Sequence, residues 1–359
     1  MKKEVIIIGN GIAGITLAML LQRKGISFAL LHREGEKVPF ALGETLPPSA
    51  MPLLQELKLL SLFEENAYRK TYGYHSMWGS SSVTDINFYH QNPFKNGLKI
   101  NKHQTLEKMR DFIRDDMISY SKGFEIIHED HGNTVVLAKN EGVKIVQGKI
   151  LIDATGRNRA VLQKLKIEST IHDKLVALSC HLPKIEHPKL THEVYVESFK
   201  EGWGIVSALN ETENICTIYT HKGHDILAKL KDVSQWKSAL SETVYLKDFL
   251  IEDKNIKFKG GNSNSSVAEQ IAGNNWLALG DAAMSFDPLS SHGITNAIYT
   301  ASKASEAIEK KLTIADTEAF PEYGETMQTI FQQYLQSKNQ LYQQEVRWKE
   351  ESFWKRFFE

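Results

Sequence analysis

Charged Lys2, Lys3 and Glu4 give way to four consecutive apolar residues, Val5–Ile8, and then to Gly9-Asn10-Gly11-Ile12-Ala13-Gly14. From Ile12 to Lys24 the apolar positions recur with helical spacing. This order predicts a strand buried on both faces, a glycine turn and a helix. Ser27–Leu31, Lys149–Asp153 and Trp276–Gly280 are further short apolar runs, and the last two end at an acid, Asp153 and Asp281. Phe124–Asp130, Thr134–Ala138 and Val143–Gln147 are separated by turn residues at Gly132-Asn133 and Asn140–Gly142, which predicts a three-stranded meander. Helices are expected from Ser49 to about Leu60, after Pro47-Pro48, and from Gln104 to Ser121, with an Asn92-Pro93 break upstream.

From Leu175 to about Phe258 polar and apolar positions alternate in runs at Leu178–Leu182, Glu193–Glu197, Trp203–Leu209 and Ile215–Tyr219. A helix near Ser234–Leu246, carrying Trp236, interrupts them. That pattern predicts an antiparallel sheet in a second domain, inserted before the chain returns to the first at Trp276. The remainder is helical and ends in an aromatic stretch, Arg347-Trp348 to Phe357-Phe358, expected to be packed down as core, with a partner-docking patch as the alternative. The predicted division assigns 1–72, 101–174 and 263–300 to the first domain, 73–100 and 175–262 to the second, and 301–359 to a helical C-terminal segment.

Composition narrows the function little. The 359 residues are 42% hydrophobic and 24% charged with a net charge of −1, as in an ordinary soluble globular protein with no whole-chain attraction to nucleic acid or an anionic membrane. Cys180 and Cys216 are far apart in sequence, with no CxxC pair and no His/Cys cluster at metal spacing. A cytoplasmic, reducing location without structural zinc is the expectation, and no apolar run is long enough to span a bilayer.

Chemistry enters with the glycines. Gly9 permits a tight turn, Gly11 lets a pyrophosphate approach the backbone, and Gly14 lets the helix pack on the strand. An acid is expected about 20 residues further on, at the end of the second strand, to hold a ribose. His32-Arg33-Glu34 stands there instead, so either Glu34 takes that role or the ribose is held otherwise. Asp281 sits where it can accept a hydrogen bond from a ribose or ribitol hydroxyl. Asp287-Pro288 makes a second turn, and Ser290, Ser291 and Gly293 are expected to present backbone N–H groups near a helix start at Ile294.

GxGxxG, then DATG at 153–156, then Gly280-Asp281 resembles, in that order, the glutathione-reductase-type FAD fold of the para-hydroxybenzoate hydroxylase class. The resemblance implies an α/β protein in which an FAD-binding Rossmann domain is interleaved with an antiparallel-sheet substrate domain and a helical C-terminus. It implies an FAD site built from Gly9, Gly11, Ile12, Ala13, Gly14, His32, Arg33, Glu44, Lys102, Gly156, Asp281, Pro288, Ser291, His292, Gly293 and Ile294. Within it Arg33, Lys102 and Asp281 approach the ribose or ribitol, and Asp287–Gly293 lies against the isoalloxazine. Lys102 stands where that class usually has Arg or Gln, and no second dinucleotide fingerprint is present.

A narrower likeness rests on GETLPP at 43–48, Trp78-Gly79, Glu197 with Gly202-Trp203, GDAAMSFDPLSSHGI at 280–294, and the ending RW…SFWKR. Together they resemble the flavoproteins that mature cysteine-tryptophylquinone lysine and glycine oxidases and quinohaemoprotein amine dehydrogenase. The resemblance implies an FAD-dependent monooxygenase that hydroxylates a tryptophan in the precursor of a quinone-cofactor oxidase, with electrons from NAD(P)H or a flavin reductase. His292 and Glu44 are the candidate acid–base groups, and Trp203, His75 and Trp78 are candidates for the substrate side. Two other readings stay open. Flavin-dependent halogenases carry a lysine upstream of a tryptophan, which Lys70 and Trp78 match, but their GWxWxIP motif is here Gly202-Trp203-Gly204-Ile205-Val206. A flavin-binding maturation chaperone that does not oxidise its client is the third.

Overall fold

The computed structural model describes residues 1–35, 40–82, 84–88, 94–129, 131–140, 142–185, 194–230, 233–250 and 258–359. The chain forms two compact units, each assembled from three stretches: Met1–Pro39, His103–His172 and Ser265–Tyr334 in the first, Phe40–Lys102, Asp173–Asn264 and Leu335–Glu359 in the second.

The first unit is built on a parallel sheet with the strand order Trp276–Ala278, Gly142–Asp153, Lys2–Ile8, Phe28–Arg33, Met117–Tyr120, and Ala272–Gly273 adds an antiparallel edge. Val5–Ile8 is wholly buried, as a strand covered on both faces must be. The helix Ile12–Arg23 packs against the 21-residue helix Gly293–Thr313. The first half of Gly142–Asp153 also pairs antiparallel with Gly132–Lys139, which pairs with Gly123–Glu129, giving the meander. The helix expected to run to Ser121 stops at Asp111, and Met117–Tyr120 is a strand instead. Its register against Leu30–Arg33 is a distant pairing that local periodicity does not carry.

The second unit holds a seven-stranded sheet in the order Phe258–Asn262, Leu175–Pro183, Glu213–His221, Gly202–Ala208, Val194–Phe199, Gly73–Met77, Thr84–Asn87. Every pairing is antiparallel except Val194–Phe199 with Gly73–Met77. One face carries Tyr195, Val206, Cys216 and Ile218 against Trp236, Leu240, Leu246 and Phe249 of the intervening helical segment. Cys180 and Cys216, distant in sequence, are register partners inside this sheet and both are free thiols. The predicted helix Ser234–Leu246 is shorter, Val233–Ala239, followed by a separate turn at Leu246–Phe249.

Two boundaries differ from the sequence division. Residues 40–72 belong to the second unit, because Thr45–Leu46 and Ala67–Thr71 flank Gly97–Ile100 in a three-stranded sheet of their own. Residues 301–334 belong to the first unit and 335–359 to the second. The aromatic ending is core in part: Phe353 and Trp354, with Tyr342 before them, have no exposed surface, Trp348 and Phe357 are half-buried, and Phe358 is exposed. The Trp354 indole N–H donates to the Phe199 carbonyl at 2.8 Å. The Asn92-Pro93 break and the first residue of the strand expected at Glu193 lie outside the described residues. Among the described residues no helix is long and apolar enough to cross a membrane.

Candidate functional site

In the first unit the three sequence motifs meet. Gly9 has φ +117°, and a Cβ placed on it would lie 2.2 Å from the Ala154 carbonyl oxygen, so the turn and the DATG segment touch backbone to backbone. A Cβ on Gly14 would lie 2.0 Å from the Gly9 carbonyl oxygen, which fixes the helix on the turn. A Cβ on Gly280 would stand 3.2 Å from that of Ala13, bringing the third motif against the same helix.

Gly11 is different in kind. A Cβ there would meet nothing within 4 Å. Gly11 is also the N-cap of the 12-residue helix, with no side-chain cap and no acid in the first turn. The turn is therefore open where a phosphate would approach, and the helix N–H groups and dipole face it uncompensated. This is the fit expected for the pyrophosphate of FAD.

The two strand-end acids divide the work. Asp153 is wholly buried and accepts from Thr155 N and Oγ1 and from Val161 and Leu162 N at 2.6–3.1 Å. Burial raises its pKa, and those hydrogen bonds pull the other way. It ties the DATG turn together. Asp281 keeps 35% of its side chain exposed, with the Arg157 Nε 3.5 Å away, and remains able to accept a ligand hydroxyl. Arg157 and Arg159 were not singled out from sequence, although two arginines directly after DATG are a readable sign. Arg157 Nη2 donates to the Phe286 carbonyl at 3.0 Å, and Arg159 donates to Ala282 O and to Ser266 O and Oγ. Arg159 does this from a left-handed backbone, φ +46°, and burial lowers its pKa.

Past Asp281 the chain makes a short turn at Pro288–Ser290, and the long helix begins at Gly293, with Ile294 inside it. The expectation that Ser290 and Ser291 present free N–H groups is corrected. Ser290 N donates to Asp287 O and Ser291 N to Pro288 O, because the tight turn satisfies its own backbone. Ser291 adopts φ +52°, and Ser291, His292 and Gly293 are exposed. His292 keeps an exposed edge, yet desolvation by its surroundings lowers its pKa.

At the end of the second strand His32 is half-buried with Nδ1 3.2 Å from Arg33 O, and Arg33 is exposed. Glu34 is exposed and accepts from Ser119 Oγ at 2.7 Å. Gly156, φ +65°, closes the DATG turn.

The other candidates belong to the second unit. Glu44 and Lys102 form an ion pair of 3.0 Å, so the ammonium expected at the ribose is engaged by a carboxylate of its own unit. Lys99 is buried and donates to Gly43 O, to Ser207 Oγ at 2.6 Å and to Thr45 Oγ1 at 3.3 Å, holding the GETLPP turn; no sequence motif pointed to it. Lys70 is half exposed and 3.9 Å from Glu64, a solvated surface pair.

Trp203 does not line an open substrate face. It has no exposed surface, stacks on Tyr219 with ring centroids 4.0 Å apart, and donates from Nε1 to Tyr342 Oη at 2.8 Å. Trp78 meets Trp203, Tyr342 and Trp354 edge-on at 5.3–6.1 Å and donates to Leu341 O. Both are anchors for the C-terminal aromatics. His75 lies parallel to Tyr245 at 6.1 Å and 3.8 Å from Asp85, on the sheet face that the helical segment covers.

Comparison with known proteins points the same way. The profile of the FAD binding domain family matches residues 2–338. LodB of Marinomonas mediterranea, an FAD-dependent oxidoreductase by assignment, is 28% identical over a 376-residue alignment covering 98% of this chain and 96% of LodB. Among solved structures, the flavin-dependent halogenase CmlS superposes with a TM-score of 0.81 at 19% identity. That match covers 95% of this chain, which spans only 64% of CmlS. The peptidyl tryptophan dihydroxylase QhpG, described as essential for tryptophylquinone cofactor biogenesis, superposes with a TM-score of 0.76 at 18% identity over 100% of this chain and 79% of QhpG.

Proposed function

From the premise that this chain belongs to the FAD binding domain family and is an FAD-dependent oxidoreductase, we propose that it hydroxylates a tryptophan side chain within the precursor of a quinone-cofactor oxidase. The observation that carries this reading is the match to a peptidyl tryptophan dihydroxylase along the whole of the chain. LodB, covered almost end to end, supports the oxidoreductase class and gives this chain a relative of its own length.

The reaction is balanced as an aromatic C–H, O₂, two electrons and two protons giving a phenolic C–OH and water. The electrons come from an external donor, a reduced nicotinamide or a reduced flavin. Bound FAD supplies the activation of O₂. The protein's own residues bind and orient the cofactor. The open Gly11 turn and helix start would receive the pyrophosphate, Asp281 would accept a hydroxyl, and the turn before Gly293 would face the ring system. An indole that is part of a protein is positioned by contacts made elsewhere on that protein, so remote binding energy serves the reacting centre.

Halogenation is the second reading, favoured by the superposition on CmlS. The exposed Lys70–Glu64 pair lends it no support at that position. One experiment separates the readings. Reduced protein with O₂ and chloride is offered free tryptophan, a short tryptophan peptide and the intact unmodified oxidase precursor. The expected product is the precursor carrying one or two added oxygen atoms at a single tryptophan, with little change in the peptide. Chlorinated tryptophan would replace this reading with the halogenase, and equal oxidation of free tryptophan would remove the protein substrate. A reduced protein that consumes O₂ equally with and without precursor, leaving the precursor unmodified, would favour a chaperone.

A further inference from the structure

The structure assigns Tyr334 and Arg157 a joint positioning role. Together they clamp both poles of the peptide unit between Phe286 and Asp287, and thereby set the conformation in which the Asp287–Gly293 turn meets FAD. The inference rests on the placement of that turn against the isoalloxazine, and it names positioning residues that no motif contains.

The carbonyl of Phe286 and the N–H of Asp287 belong to one rigid plane. Arg157 Nη2, from the end of the DATG segment, donates to that carbonyl at 3.0 Å. The N–H on the opposite side of the plane donates to Tyr334 Oη at 2.6 Å. The Tyr334 hydroxyl is itself 2.7 Å from Ser265 Oγ, and its ring stacks on Phe286 with centroids 4.2 Å apart and planes inclined by 14°. Turning this plane would break a charge-assisted bond and a short neutral one together, so its orientation is fixed.

Beyond the plane the chain has little freedom left. Asp287 precedes a proline and is confined to extended backbone, observed at φ −62° and ψ 135°. Its Oδ1 accepts from Leu289 N at 2.8 Å, and its carbonyl accepts from Ser290 Oγ at 2.8 Å. Ser291 then takes a left-handed conformation before the helix begins. A chain with so few free torsions transmits the angle of its first peptide plane to its far end. The clamp therefore governs where the exposed Ser291, His292 and Gly293 stand.

Tyr334→Phe removes the hydroxyl and keeps the aromatic stack. Two readouts are needed, neither of them turnover. In the protein freed of FAD, hydrogen exchange at the Asp287 amide should rise about tenfold, the scale of one lost hydrogen bond. In the FAD-loaded protein, the visible spectrum and reduction potential of the flavin should shift while FAD stays bound. Unchanged exchange at Asp287 would overturn the clamp, and faster exchange with an unaltered flavin would overturn its link to FAD. If Tyr334→Phe fails to fold, Ser265→Ala loosens the same hydroxyl and is read in the same two ways, unchanged exchange again counting against the clamp. Failure of the hydroxylase reading, with free tryptophan oxidised as well as precursor, would leave both readouts untouched.

Discussion

Asp153 and Asp281 look alike in the sequence, each an acid closing an apolar run. In the folded protein their strands are neighbours, with the Leu279 N–H donating to the Asp153 carbonyl at 2.9 Å. Their surroundings separate them, because one spends its oxygens on four protein donors inside the core and the other keeps an exposed face. Replacing Asp281 with Ala should therefore weaken FAD retention by about 1–3 kcal/mol, with the thermal midpoint of the FAD-free protein little altered. Titration of the apo protein with FAD, beside a melt of the same sample, measures both. Equal affinity in the variant would show that no flavin hydroxyl uses this carboxylate. The glycine fingerprint was readable because each glycine answers a local need. The burial of Trp203 and the use of Glu34 by Ser119 were not, since both depend on partners far away in the chain.

At the scale of elements, strand, glycine turn and helix from Val5 to Lys24 follow from local periodicity, as do the meander and the long strands of the second sheet. Elements that owe their form to distant pairing were missed: Met117–Tyr120, the two-residue strand Thr45–Leu46, and the break of the C-terminal segment into short turns. A single carboxylate fastens that segment. Glu345 has no exposed side-chain surface and accepts from Gly79 N at 2.8 Å, Ser198 Oγ at 2.5 Å and the Arg347 guanidinium at 2.6–2.8 Å. Burial pushes its pKa up, but the Arg347 and Ser198 hydrogen bonds, the Gly79 N–H and the Arg347 charge outweigh burial and hold it below the usual value. A carboxylate depressed in the folded state stabilises fully above its unfolded pKa of 4.5, and that contribution fades as pH falls through the folded value. Glu345→Gln should cost about 1–3 kcal/mol at pH 7. The gap between variant and wild type should narrow below about pH 4. Urea unfolding at both pH values checks it, and a gap independent of pH would mean that the charge is not what fastens the tail.

Across the whole molecule, two units are each visited three times by the chain. The alternating pattern from Leu175 and the order of motifs made the interleaving legible, but the seams were not, because a seam is set by which strands finally pair. The aromatic ending belongs to this scale, since Trp354 closes a core formed with residues as distant as Trp78 and Phe199. Trp354→Ala should destabilise the second unit by about 3–5 kcal/mol, read as a lower denaturation midpoint. A loss below about 1 kcal/mol would make the tail a surface ornament. The same unit holds both of the chain's cysteines, facing one another in adjacent strands. Contact with the Cys180 sulfur and burial hold the Cys216 thiol well above its ordinary pKa, so in the closed sheet it is a poor nucleophile. Alkylation can then proceed only through excursions that part those strands, and its rate in native buffer is a clock for them. The chain carries a built-in stopwatch for the breathing of one sheet, and no label has to be engineered to read it.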